Sequence, residues 1–85
     1  MQRSDILDKA KELVNGDRAK EYGDAYLNHK RIADLWSVVL EKEISVAQVY
    51  LCMMMVKASR LMNGKSLDQW IDIAGYASLG GENEE

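Results

Sequence analysis

Between Val46 and Asn63 the chain carries Val49, Tyr50, Leu51, Met53, Met54, Met55, Val56, Leu61 and Met62. At about 100° per residue these side chains cover nearly the whole circumference of an α-helix. Such a helix lies either at the centre of a bundle or in a contact between subunits. The chain has 85 residues, and a domain this short buries a smaller share of its surface than a longer one. Three short neighbouring helices cannot cover the third. The pattern therefore predicts an all-α four-helix domain completed by self-association into a homo-oligomer, a dimer or a tetramer.

The remaining helices follow from periodicity and end signals. Ile6, Leu7, Ala10, Leu13 and Val14 form one stripe of a first helix from about Asp5 to Asn15, with Ser4 as its N-cap and Gly16 at its C-terminus. Residues 17–24 are polar and contain Gly23, which predicts a structured connection. A second helix is expected from about Ala25 to Lys42, with Ile32, Leu35, Trp36 and Val39 on its buried face. Ser45 with Gln48, and Ser66 with Gln69, have capping-box spacing and open helices three and four. The fourth is expected from Leu67 to about Leu79, turning Leu67, Trp70, Ile71, Ala74 and Ala77 inward. One helical domain thus spans residues 1–79, and the acidic residues 80–85 read as a flexible tail.

With 11 Lys and Arg against 14 Asp and Glu, the formal net charge is -3. That balance gives no general attraction to DNA, whose affinity rests on neutralised phosphates. No stretch has the pattern of a signal peptide or the length of a membrane span. The lone Cys52 cannot form an intrachain disulfide, and no base is placed beside it to make it a nucleophile. The expected location is the cytoplasm, with no membrane partner.

The charged residues of helix three are Lys57 and Arg60, on the same side as Val46, Val49, Tyr50 and Met53. Cations in the last turns complement the helix dipole and can snorkel outward; they also suit phosphate oxygens. Asp68 and Asp72 share a face of helix four, with Gly75 one turn beyond. If helices three and four pack antiparallel about the Asn63–Lys65 turn, Lys57 lies level with Asp72 and Arg60 with Asp68. Two cross-hairpin salt bridges are one reading. The other is a site with cations for phosphate and carboxylates for a divalent ion or a ribose hydroxyl, and the mid-helix Gly75 leans toward it, because such a glycine usually marks a close approach. On helix two, Asn28 and Arg31 fall within the angular range of the Ile32, Leu35 and Val39 stripe, either as a core hydrogen-bond network or as ligand contacts. His29 points elsewhere, and a single His is weak support for a metal.

Four strings carry a family resemblance: Lys20-Glu-Tyr-Gly-Asp24, Asn28-His-Lys-Arg-Ile-Ala-Asp-Leu-Trp36, Met54-Met-Val-Lys-Ala-Ser-Arg-Leu61 and Asp68-Gln-Trp-Ile-Asp-Ile-Ala-Gly-Tyr76. Together they span most of the chain, and it resembles a family of small, largely uncharacterised phage proteins. More distantly it is similar to nucleotide-modification-associated domains of phages and to MazG-like all-α nucleoside triphosphate pyrophosphohydrolases. The resemblance implies a MazG-like four-helix bundle that oligomerises, acts in the infected host cell and binds a nucleotide between helices. The implied ligand-binding set is Lys20, Tyr22, Asn28, Arg31, Trp36, Lys57, Arg60, Asp68 and Asp72.

MazG-like catalysis uses paired acidic motifs on facing helices to hold Mg²⁺. Here Asn28 and Arg31 stand on helix two where carboxylates are expected, and helix four supplies only Asp68 and Asp72. Phosphate binding by Arg31, Lys57 and Arg60 needs no such motif. Three functions follow. The first is capture of a nucleotide or nucleotide-derived signal, such as a host immune signal, without turnover, catalytic residue or cofactor. The second is a divergent Mg²⁺-dependent pyrophosphohydrolase with Asp68 and Asp72 as metal ligands. The third is a ligand-free protein-interaction module.

Overall fold

The structure, a computed structural model, describes residues 1–16 and 24–84. Among them the chain forms four helices and no strand: α1 (Arg3–Asn15), α2 (Ala25–Leu40), α3 (Val46–Leu61) and α4 (Leu67–Glu84). The fold is all-α. The expected connection through Arg18, Lys20, Tyr22 and Gly23 lies outside the described residues.

Local chemistry sets most of the helix ends. The α1 helix starts earlier than a Ser4 cap predicts, because Gln2 takes that position and its amide donates to the Asp5 carboxylate at 3.1 Å. Asp24 caps α2, its Oδ2 accepting from the Leu27 amide at 3.0 Å. The α2 helix stops at Leu40 rather than Lys42, since Glu41 turns left-handed at φ 54°. Ser37 holds that turn: its hydroxyl donates to the Ala33 carbonyl at 2.7 Å and accepts from the Ile44 amide at 2.8 Å. The Ser45 and Gln48 capping box forms in full, with contacts of 3.1 and 2.9 Å. The matching box expected at Ser66 and Gln69 does not form, for Gln69 Oε1 is buried without a hydrogen-bond partner.

Packing follows an open order. The α4 helix lies against α1 on one side and α3 on the other, and α2 packs on α3. The core centres on Ala33, Val46, Val49 and Tyr50, flanked by Ile32, Trp36, Met53, Tyr76 and Leu79. Ala10 and Ile71 are buried on α1 and α4. Gly75 serves the α1–α4 contact, because a Cβ there would meet Val14 Cγ1 at 3.3 Å. Its close approach is thus to another helix rather than to a ligand. The α4 helix runs to Glu84, past the expected end at Leu79; Leu79 packs on the core and Gly80 lies over the Tyr50 ring.

Several faces are turned differently from what periodicity suggests. On α2, Ala33, Ile32 and Trp36 face the core while Leu35, Val38 and Val39 are exposed. On α4, Ile71 is buried, but Leu67, Trp70 and Ala77 are exposed. On α3 the side opposite Val49 and Tyr50 leaves Leu51, Met55 and Met62 in the open. These helices are apolar on more than one side, and each has too few neighbours to cover every side.

Candidate functional site

The α3–α4 hairpin brings the expected charges together at one of two levels. Lys57 Nζ lies 3.1 Å from Asp72 Oδ2, with side chains only 12% and 20% exposed. Both groups stand on the faces the two helices turn to each other, one turn from Met53 and Tyr76 respectively. At the second level Arg60 and Asp68 are both exposed, and no ion pair joins them. The guanidinium of Arg60 is thereby left one turn from a cation that is already neutralised.

The other expected ligand residues are not gathered onto this hairpin. Arg31 is exposed and Asn28 half-buried, and neither hydrogen-bonds nor pairs with Lys57, Arg60, Asp68 or Asp72. Arg31 stands on the side of α2 that also carries the exposed Leu35 and Val38, so the assumed shared buried stripe is not formed in the single chain. Trp36 is half-buried and packs on the core cluster. Lys20 and Tyr22 lie outside the described residues. Lys30, one position before Arg31, pairs on the surface with Asp34 at 2.6 Å, and that hydrogen bond and charge raise its ammonium pKa.

A Mg²⁺ ion is poorly served by these donors. Among the described residues no three His, Cys, Asp or Glu side chains converge, and the Asp72 carboxylate is already engaged by Lys57. A hard cation of six-fold coordination needs oxygen ligands that Asp68 and Asp72 alone do not supply. The described residues do not fit a resident metal.

An aromatic cluster was not foreseen. His29 of α2, Tyr50 of α3 and Tyr76 of α4 meet edge to face or tilted, with ring centroids 4.8 Å apart for His29–Tyr50, 5.8 Å for His29–Tyr76 and 6.4 Å for Tyr50–Tyr76. His29 Nδ1 donates to the Ala25 carbonyl at 2.7 Å. Tyr50 is 2% exposed, and burial pushes its phenol pKa up, reinforced by the charges of Asp24 and Glu82. The one sequence cue was the placement of Tyr50 among the apolar residues of α3. His29 and Tyr76 gave none, since each joins the cluster from a different helix.

Over residues 5–84 the chain matches the family described as "Domain of unknown function (DUF6378)". The Gene 55 protein of Mycobacterium phage L5 is 45% identical over 76 residues, which are 87% of this chain and 49% of that protein. The Gene 55 protein of Mycobacterium phage D29 is 44% identical over 73 residues, 85% of this chain and 48% of that protein. The chain spans about half the length of the curated relatives it matches. No solved structure matches it. No described helix is long and apolar enough to cross a membrane. The family match takes in nearly the whole of α1 and all of α2, α3 and α4, and the chain belongs to the DUF6378 family.

Proposed function

We propose that this chain is the self-associating helical part of a phage protein that captures a nucleotide or nucleotide-derived signal in the infected host cytoplasm, without turning it over. The observation that carries the reading is the outward face of α3. Gln48, Leu51, Cys52, Met55, Ser59 and Met62 are all exposed and none is charged. Helical spacing sets them on one side, with Lys57 and Arg60 turned away from it. A solvent face of a helix normally carries charge, and contiguous apolar surface of this kind marks an interaction site.

A second copy of the chain suits that face. Gln48 and Met62 each stand seven residues from Met55, and Leu51 and Ser59 four. Two α3 helices crossing antiparallel about a symmetry axis at Met55 therefore set Gln48 against Met62 and Leu51 against the small Ser59. Such self-complementarity is what an isologous dimer requires. The same pairing closes the open α1–α4–α3–α2 order into a MazG-like bundle.

Ligand capture is supported by the hairpin. Asp72 neutralises and orients Lys57, while Arg60 keeps its fork of donors open for a phosphate and Asp68 is free to accept from a ribose hydroxyl. No observation favours Mg²⁺-dependent pyrophosphate hydrolysis.

Calorimetric titration with mononucleotides, cyclic dinucleotides and ADP-ribose derivatives tests the capture. At least one is expected to bind, with Arg60→Lys weakening it although the charge is kept, because an ammonium cannot copy the planar fork. Binding unaffected by Arg60→Lys and Lys57→Met would remove the hairpin as the site. An assembly that binds nothing in the panel would favour a ligand-free interaction module.

A further inference from the structure

The α2 helix turns Ile32, Ala33 and Trp36 toward the core and leaves its opposite side open. There Leu27, Leu35 and Val38 are 61%, 58% and 75% exposed, and Arg31 and Asp34 are exposed with them. Leu27, Arg31, Asp34 and Val38 follow one another at intervals of four, three and four residues. Such spacing keeps them on one narrow stripe, as in the seam of paired helices. Leu35 borders the stripe and widens its apolar part.

The order along the stripe is apolar, cation, anion, apolar, and it complements itself about a two-fold axis. When a second α2 is laid antiparallel on the first, Leu27 meets the partner's Val38 and Arg31 meets the partner's Asp34, each contact occurring twice. A parallel arrangement would set Arg31 against Arg31 and Asp34 against Asp34, so the charges select the antiparallel one. Both charges are able to take a partner. Arg31 makes no hydrogen bond or ion pair with any described residue. Asp34 holds Lys30 through Oδ1 alone, at 2.6 Å, and its Oδ2 keeps lone pairs for a second donor. A foreign partner would need only one of the two charges, whereas a second copy accounts for both.

We propose that the outward face of α2 is a second contact between copies of this chain, an antiparallel seam in which Arg31 of each protomer pairs with Asp34 of its partner, between end contacts of Leu27 with Val38. The seam rests on the α3 pairing proposed above. Alone it is weak, because exposed ion pairs stabilise little and a stripe this narrow covers less surface than a stable dimer buries. Two dimers formed through α3 meet through two such seams at once, and closing the first brings the second to high effective concentration. Isologous contacts on two different helices of one chain are what a tetramer with crossed two-fold axes requires. A chain that lacks the α3 contact therefore stays monomeric at micromolar concentration.

Sedimentation velocity and native mass spectrometry of the full chain at micromolar concentration test the seam with two charge reversals, Arg31→Glu and Asp34→Lys. Both positions are exposed, so circular dichroism should show both variants folded. The wild type is expected as a tetramer. Each variant alone sets like charges against each other and should stop at the dimer. Its dimer–dimer dissociation constant should rise at least roughly a hundred-fold, since every attractive pair of the seam becomes repulsive. Mixing the two variants sets the new carboxylate against the new ammonium and the remaining Asp34 against the remaining Arg31, and should return the tetramer. A wild-type dimer, a tetramer kept by either variant alone, or a mixture that stays dimeric would overturn the seam and leave the α3 pairing intact. A wild-type monomer would overturn the α3 pairing, and the seam with it.

Discussion

Lys57 and Asp72 form a mostly buried ion pair, Nζ to Oδ2 at 3.1 Å, tying the last third of α3 to the first third of α4. Charges so poorly exposed are costly when left alone and only modestly stabilising together. Asp72→Asn is expected to destabilise the chain by about 1–3 kcal/mol, because it strands the Lys57 ammonium. Lys57→Met combined with Asp72→Asn should recover most of that loss. Urea unfolding of the two single variants and the pair, read as a double-mutant cycle, checks it. Additive effects would mean the groups do not interact.

Two glycines of α4 should respond in opposite directions. At Gly81 a Cβ meets nothing within 4 Å, so Gly81→Ala should stabilise by up to about 1 kcal/mol through helix propensity. At Gly75 the Cβ would press on Val14 Cγ1 at 3.3 Å. A larger side chain there must drive α1 away from α4: Gly75→Leu should cost about 1–3 kcal/mol, partly restored by Val14→Ala. Thermal melts of the three variants decide between helix contact and mere tolerance.

Tyr50 gives the chain an alkaline weakness. Its folded pKa is raised above the ordinary 10.0, so between the unfolded and folded values the native state holds the proton that the unfolded state has lost. Stability should therefore be level below about pH 10 and fall as pH rises through the raised value. Tyr50→Phe should flatten the fall. Urea midpoints from pH 8 to 11.5 for both proteins give the difference curve; parallel curves would show that the phenol does not couple to folding.

Turnover is a fourth point of contact with experiment. With Asp72 engaged by Lys57 and no three metal-binding side chains together among the described residues, nucleoside triphosphates with Mg²⁺ or Mn²⁺ should be hydrolysed far more slowly than about 1 per second. A faster rate, lost in Asp68→Asn and Asp72→Asn, would restore the enzymatic reading.

The parts legible in the sequence were those governed by neighbouring residues. The Ser45 and Gln48 box, the start of α4 after Ser66 and the level of Lys57 with Asp72 follow from local spacing and a short hairpin. The buried side of α2 was not legible. Ile32 and Trp36 lie toward one side and Leu35 and Val39 toward another, and only the position of α3 shows which is inside. Gly75 marks a close approach in the sequence and leans toward a ligand site there, because the sequence does not say which helix approaches it. The ring cluster of His29, Tyr50 and Tyr76 was hidden for the same reason, since α2, α3 and α4 each contribute one ring.

Native mass spectrometry of the purified wild-type chain at micromolar concentration, beside Met55→Asp, tests the central claim most directly, because it reads both subunit number and retained small molecules. Met55 is 63% exposed in the single chain, so an aspartate there should not disturb the helix packing but would bury an unpaired charge in an assembled α3 face. A wild-type dimer or tetramer that carries a nucleotide mass, and a folded Met55→Asp monomer, are the predicted results. A wild-type monomer that stays soluble, or an assembly unchanged by Met55→Asp, would contradict the account.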